Sequence, residues 1–334
     1  MRVAISGASS FTGLWIANRL AQAGYQVDAL LARDSASYSG LPQVRVRRLS
    51  SQVEKHFAID AEGGAMKDWI QKNRPRVWIH HHHFMTHFRS PEYNLTRAHA
   101  VGLAPLPEII QALGENQCGA VIFSGSYFEA GEGGQAADAP VSPYARSKTQ
   151  VWHLLQELCA RARMPLLKVV IPNPIGPFEN DDRLIPSLIR SARSGTEFHL
   201  QTPLDQADNL PVTAVAETYA DAVARGLRGE SAILRPSAGA ESNESLGQRV
   251  NDELIVKRLH LPAVSIRKPS AEVPKAPTWQ KASGGNTPQD ERKPRIFRNP
   301  TVPLAAIDWP LFWDFYAQEL LGAGLITPVA SAGR

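Results

Sequence analysis

The start of the chain limits its possible folds most. Arg2-Val-Ala-Ile-Ser6 is a short apolar strand, Gly7-Ala-Ser-Ser-Phe-Thr-Gly13 is a glycine-rich turn, and Leu14 to Ala23 reads as a helix. In that order they aim backbone N–H groups and the positive end of a helix at one point, where a pyrophosphate can sit. The residues concerned are Gly7, Ser9, Ser10, Phe11, Thr12 and Gly13. Gly24 stops the helix, and Gln26 to Leu31 forms a second strand. Leu31 stands where a carboxylate would hold a ribose 2′-hydroxyl, and Arg33 follows it. This points to NADP, with NAD the weaker alternative, although an ordinary loop arginine would look the same.

Strands and helices go on alternating: a strand over Lys55 to Asp60, a helix over Ala65 to Lys72, and a strand over Arg76 to Ile79. The expected fold is α/β, a doubly wound parallel sheet with its ligand at the carboxyl ends of the strands. Asp60 would contact an adenine there or cap a helix. His80 to His83 are consecutive histidines, but residues leaving a strand point alternately to opposite faces and cannot all ligate one ion. No metal is expected, and His80 and its neighbours read as bulky lining of a cofactor cleft.

The chemistry concentrates between Ala120 and Lys148. An apolar strand, Ala120-Val-Ile-Phe123, ends in Ser124-Gly125-Ser126, and Ser142-Pro-Tyr-Ala-Arg-Ser-Lys148 follows a glycine-rich loop. With Pro143 at the first helical position, Tyr144 and Lys148 share a helix face. A phenol is a poor acid–base group near neutrality, and an adjacent ammonium favours its ionised form. Ser126 or Ser124 would then hydrogen-bond the reacting oxygen.

Beyond this stretch the Tyr144 helix continues to Ala162 with an apolar stripe of Val151, Leu154, Leu155 and Leu158. A strand over Leu166 to Ile171, a turn over Pro172 to Pro177 and a helix over Leu184 to Ser194 follow. Asp208-Asn-Leu-Pro-Val212 leads into a helix over Ala214 to Arg225, and Asp308 caps a closing helix to Leu321. The expected organisation is a dinucleotide-binding domain over 1–170, to which 207–230 returns, and a smaller C-terminal substrate-binding region over 171–206 and 231–322. Within it 267–300 is a flexible basic loop, and 323–334 is a tail. The net charge of +4 comes from 36 basic residues spread among 32 acidic ones, which argues against nucleic acid as a partner. Two cysteines, Cys118 and Cys159, fit a reducing compartment. No apolar run long enough to span a bilayer and no leader pattern is seen, so the expectation is a cytoplasmic protein with no membrane partner.

Gly7 to Gly13, Ser124 to Ser126, and Tyr144 with Lys148 together resemble the extended short-chain dehydrogenase/reductase superfamily of nucleotide-sugar epimerases, dehydratases and reductases. The strings Ser126 to Gly133, Ile171 to Glu179, Asp208 to Val212 and Pro236-Ser-Ala-Gly239 look most like its dTDP-6-deoxy-L-talose 4-dehydrogenase branch. The resemblance implies a Rossmann domain and an NAD(P)-dependent oxidoreductase acting at C4 of a nucleotide-linked deoxysugar. Tyr144 would be the acid–base residue. Lys148 would lower its pKa and hold the nicotinamide ribose, and Ser126 would bind the C4 oxygen. Ser124, His80 and Pro172 would border the cofactor. Tyr127, Asn173 and Leu184 would border the substrate, and a homodimer would form on the Tyr144 helix. The chain departs from the pattern at Ser10, in place of a middle glycine, at His82 and His83, in place of small residues, and at Ala207, in place of an arginine. Arg183 is therefore expected to be the main cation for a nucleotide-linked substrate, aided by Arg190, Arg193 and Arg292-Lys-Pro-Arg295. An epimerase or dehydratase, a small-carbonyl reductase and a non-catalytic dinucleotide sensor or scaffold remain alternatives.

Overall fold

The computed structural model describes residues 1–88, 90, 92–133, 142–269, 296–297 and 307–326. Its first half alternates β1 (Arg2–Ser6), α1 (Phe11–Gln22), β2 (Gln26–Leu30), α2 (Gly40–Arg48), β3 (Val53–His56), α3 (Ala65–Asn73) and β4 (Val77–His80). Then come α4 (Leu95–Gly102), α5 (Leu106–Glu115), β5 (Ala120–Ser126), α6 (Pro143–Arg161) and β6 (Leu166–Ile171). The second half holds β7 (Asn173–Ile175), α7 (Leu184–Ser194), β8 (Phe198–His199), β9 (Gln206–Pro211), α8 (Val212–Leu227) and β10 (Ala232–Leu234). It ends with β11 (Ala240–Ser242), α9 (Asn243–Arg249), β12 (Ile266–Arg267), β13 (Ile296–Phe297) and α10 (Trp309–Gly322).

Seven parallel strands form the central sheet in the order β10-β6-β5-β4-β1-β2-β3. From β1 the chain runs outward through β2 to β3, then crosses back to β4 and runs the other way. The switch point lies between β1 and β4, and in such sheets the crevice at the carboxyl ends of those strands takes the ligand. Helices cover both faces, so the strands are apolar on both. Val3, Ile5, Val77, Ile79, Ile122 and Val169 pack into a cluster with α1 and α8. Ala4, Trp78, Val121 and Phe123, which alternate with them, pack against α3, α5 and α6.

The second half returns to this core. β9 pairs with β7, β11 and β13 in a smaller sheet, then leads directly into α8 on the first face. β10 completes the central sheet beside β6, although it lies in the stretch assigned from sequence to the substrate region. Trp15 of α1 meets Phe178 and Phe315 ring to ring, which ties α10 to the first half of the chain. Several boundaries differ from expectation. The third strand ends at His56, because Ala58 takes a positive φ of 57° that breaks the extended run. The elements α2, β7 and β9 go beyond the expectation, since they are short or polar and their partners lie far away in sequence. The basic loop expected over 267–300 lies outside the described residues except at 267–269 and 296–297, and so does the tail beyond 326. No helix among the described residues is long and apolar enough to cross a membrane.

Candidate functional site

β5 delivers Ser124 and Ser126 to the carboxyl edge of the sheet. Gly125 between them has no room for a side chain: a Cβ there would lie 2.5 Å from Lys168 Cε and 3.0 Å from Glu129 Oε1. Across from this edge α6 starts as the sequence suggests, with Pro143 in its first turn and Ser142 Oγ accepting the Ala145 N–H. That start turns Tyr144 and Lys148 inward. The Tyr144 hydroxyl hydrogen-bonds Ser126. Lys148 Nζ donates to the Ser124 carbonyl at 2.7 Å and stands 5.0 Å above the Phe123 ring. His83, Phe88 and Tyr93 surround the Tyr144 ring edge-on at 5.4, 5.4 and 5.9 Å.

Burial governs the electrostatics here. It lowers the Lys148 amine from 10.5 to about 8, against a nearby Glu129 that favours the charge. The amine is thus still mainly ammonium at neutral pH. Burial also pushes the Tyr144 phenol well above its usual value, the Glu129 charge adds to this, and the Ser126 hydrogen bond opposes it. The lowering expected from Lys148 is outweighed in this net upward shift. In a dry site the cost of creating a phenolate outweighs one cation on the same helix face.

Glu129 is a residue that sequence reading missed. Its Oε1 accepts the Ser126 N–H, and its Oε2 pairs with Lys168 Nζ at 2.8 Å. Lys168 also faces Glu132 at 3.3 Å, and Glu132 pairs with Arg235 at 2.7 Å. One signal was available: Lys168 is a lone charge within the apolar run Leu166 to Ile171, and a charge inside a sheet requires a buried partner.

The glycine-rich turn has the geometry expected of it. Gly7 adopts φ +77°, and a Cβ on Gly13 would lie 2.5 Å from Gly7 O. Ser10 caps α1, its Oγ accepting the Gly13 N–H at 3.1 Å. The histidines after β4 go separate ways. His81 Nε2 lies 3.0 Å from both Ser10 Oγ and Thr12 Oγ1, and its Nδ1 lies 2.7 Å from Ser124 Oγ. His82 Nδ1 lies 2.7 Å from Ser6 Oγ, and His83 Nε2 lies 2.8 Å from Ser147 Oγ. Both ring nitrogens of His80 are buried without a hydrogen-bond partner among the described residues. Burial, aided by the Lys148 charge, holds all of them neutral, His81 at about 3 and His82 at about 4. Among the described residues, the ligand-type atoms that do gather belong to Asp28, Glu54 and His56, where Arg2 already faces Asp28 at 3.3 Å.

The outlying candidates sit as follows. Arg33 is exposed, its guanidinium 5.0 Å from the Tyr38 ring centre. Asp60 Oδ1 accepts the N–H groups of Glu62 and Gly63, so it caps a turn, while Gly64 holds the cap position of α3. Pro172 is buried just beyond β6, and Tyr127 is buried against Phe128 and Val170. Asn173 donates to Asn209 Oδ1 at 2.6 Å and accepts from Arg183 Nη2 at 2.7 Å. Arg183 also pairs with the buried Glu179 at 3.0 Å, and Tyr316 donates to that carboxylate. Asn173, Arg183, Leu184 and Asn243 line a cavity of about 180 Å³. Arg183 is the extended residue preceding α7 (ψ 163°), so the helical spacing to Arg190 does not apply. Arg190 instead holds Asp181 O and Ser187 Oγ, and Arg193 holds Leu325 O, all at the surface. The expected Arg292 to Arg295 contribution lies outside the described residues.

The sequence pattern described as the NAD dependent epimerase/dehydratase family matches residues 3–223. The chain belongs to that family. A comparison with curated proteins finds no match. Among solved structures, the chain is similar to the UDP-glucose 4-epimerase of Thermus thermophilus in complex with NAD: TM-score 0.65 at 16% identity, over 97% of this chain and 100% of that one. It is also similar to the UDP-glucuronic acid 4-epimerase of Bacillus cereus in complex with UDP-glucuronic acid and NAD: TM-score 0.68 at 14% identity, over 96% and 99%. A third is the UDP-N-acetylglucosamine 4-epimerase of Methanobrevibacter ruminantium: TM-score 0.68 at 13% identity, over 96% and 98%. At such identities the likeness concerns the fold. For this family member a nicotinamide dinucleotide is the group to be fitted. The glycine-rich turn and the N-terminus of α1 have the geometry for its pyrophosphate, and the His81 ring lies against the hydroxyls of that first turn, 3.0 Å from Ser10 Oγ and Thr12 Oγ1.

Proposed function

We propose that this protein is an NADP-dependent reductase acting on the C4 carbonyl of a nucleotide-linked deoxysugar. The observation that carries this reading is the state of the phenol. Tyr144 carries its proton in hydrogen-bond contact with Ser126, beside the hydroxyl that would hold a carbonyl oxygen, so the phenol is placed to give that proton to the oxygen. A bound nicotinamide supplies the hydride. Ser126 Oγ holds the substrate oxygen, Tyr144 O–H protonates it, and the Lys148 ammonium stabilises the phenolate left behind. Glu129 holds the Ser126 N–H, which fixes the strand end on which that alignment depends.

Asn173, Arg183 and Leu184, brought together at one small cavity, would border one part of a nucleotide-linked substrate. Arg183 is already paired with Glu179 and donates to Asn173, however, so it acts as an orienting donor more than as an open cation. Arg33, exposed beyond β2, supports NADP. Leu154 and Leu158 on α6 remain half-buried, which leaves part of the apolar stripe for a second copy in a homodimer. A second reading, a nucleotide-sugar 4-epimerase, is favoured by the 4-epimerase names of the similar folds. Incubation of the protein with NADPH and a set of nucleotide 4-keto sugars, and in parallel with the oxidised cofactor and the matching 4-hydroxy nucleotide sugars, separates the two. A reductase consumes NADPH in step with product. Interconversion of two nucleotide sugars without net NADPH loss overturns the reductase reading in favour of the epimerase.

A further inference from the structure

The crevice at the carboxyl ends of β1 and β4 is bridged by one side chain. His81 follows β4 immediately and is 9% exposed. Its ring spans from the first turn of α1, at Ser10 and Thr12, to Ser124 at the end of β5. Tyr219 of α8 donates to the same Ser124 hydroxyl. These contacts make a continuous polar chain from α8 to the N-terminus of α1 that runs through the imidazole.

We propose that His81 sets the cofactor affinity of this protein: its imidazole occupies the place of the dinucleotide's pyrophosphate at the start of α1, and binding requires that ring to turn away. The inference rests on the reading that this site takes a dinucleotide. A pyrophosphate at a helix N-terminus uses the N–H groups and hydroxyls of the first turn. In this chain the hydroxyls of Ser10 and Thr12 hold the imidazole, and the two sets of contacts exclude each other. The imidazole is no substitute phosphate ligand, because burial and the Lys148 charge keep it neutral.

The backbone around the ring is fixed. The His81 N–H lies 3.1 Å from both Ser6 Oγ and Ile79 O, and His82 Cα would lie 2.9 Å from a Cβ on Gly7. The side-chain torsions of His81 are therefore what can change. Ser10 and His81 act as a pair: the hydroxyl that caps α1 also holds the ring that closes the turn.

Titration of NADPH, and of ADP-ribose, which keeps the pyrophosphate and lacks the nicotinamide, against wild type, His81→Ala and His81→Asn tests this. Both ligands are expected to bind the variants about 10-fold more tightly or better, the factor expected when hydrogen bonds no longer have to be broken before entry. Thermal melts confirm that each variant is folded, and either one suffices. Dinucleotide binding by wild type with equal or weaker binding by a folded variant overturns the role of His81 alone. No binding of NADPH or ADP-ribose by any of the three overturns the dinucleotide reading beneath it as well.

Discussion

Two lysines lie buried beneath the end of β5, and the protein treats them differently. Lys168, on β6, is held by the carboxylates of Glu129 and Glu132, and Arg235 completes the group. Lys148, on α6, has no carboxylate in contact among the described residues. It donates to the Ser124 carbonyl and faces an aromatic ring, and its amine falls to about 8. The first is a charge with local compensation, which pins the loop after β5 to the sheet. The second is a charge left partly uncompensated, next to the phenol that would have to ionise. Removing each lysine should therefore damage a different property.

Lys168→Met gives the largest effect expected, and the effect is on folding. It leaves Glu129 and Glu132 buried with less compensation, so denaturant unfolding should show a loss of roughly 3–5 kcal/mol. Unchanged stability would mean that the pair does not hold the loop. Lys148→Met should instead reduce turnover by roughly 10²-fold and weaken cofactor binding, with the fold retained. Its stability signature is a pH dependence. A buried lysine with a depressed pKa leaves the unfolded chain holding more protons, so wild-type stability should gain a component as pH rises through about 8 toward 10.5. Urea midpoints across that range should show this component in wild type and lose it in Lys148→Met. Identical pH profiles would remove the contrast between the two lysines.

Smaller effects sharpen the account at the edges of the site. Arg33→Ala should cost NADPH about 10-fold in affinity and NADH little, as expected for a charge-assisted contact to a 2′-phosphate at an exposed position. Fluorescence titration with both cofactors checks it, and an equal loss for the two would remove Arg33 from the cofactor site. Arg183→Ala should weaken nucleoside diphosphate binding by only a few-fold, because that charge is already paired with Glu179. Calorimetry at low and physiological salt reads the difference. A loss far beyond this would restore Arg183 as the dominant cation.

The local parts of the site were legible in the sequence. Ser142, Pro143, Tyr144 and Lys148 lie within a few residues on one helix, and a helix start fixes which of them share a face. The strand Leu166–Ile171 and the helix Leu184–Ser194 have the bounds their residues suggest, one from an apolar run and the other from its spacing. What the sequence hid depends on distant partners. His81 finds Ser124 and Ser10 at separations of 43 and 71 residues, and Tyr219 finds Ser124 at 95. No local pattern announces such pairs. The direction of the Tyr144 shift was hidden for a related reason: a lysine one turn away can be read from spacing, whereas the burial that outweighs it comes from Phe88, Tyr93 and His83 on other segments.

The central claim is that Tyr144, held protonated beside Ser126 and Lys148, gives the proton that completes carbonyl reduction. Single-turnover mixing of NADPH with a nucleotide 4-keto sugar on wild type and Tyr144→Phe tests it most directly. The variant keeps the ring and loses the transferable proton, so NADPH oxidation should slow by roughly 10²-fold or more while NADPH affinity stays near wild type. Oxidation by the variant at close to the wild-type rate would contradict the assignment and place the proton donor elsewhere.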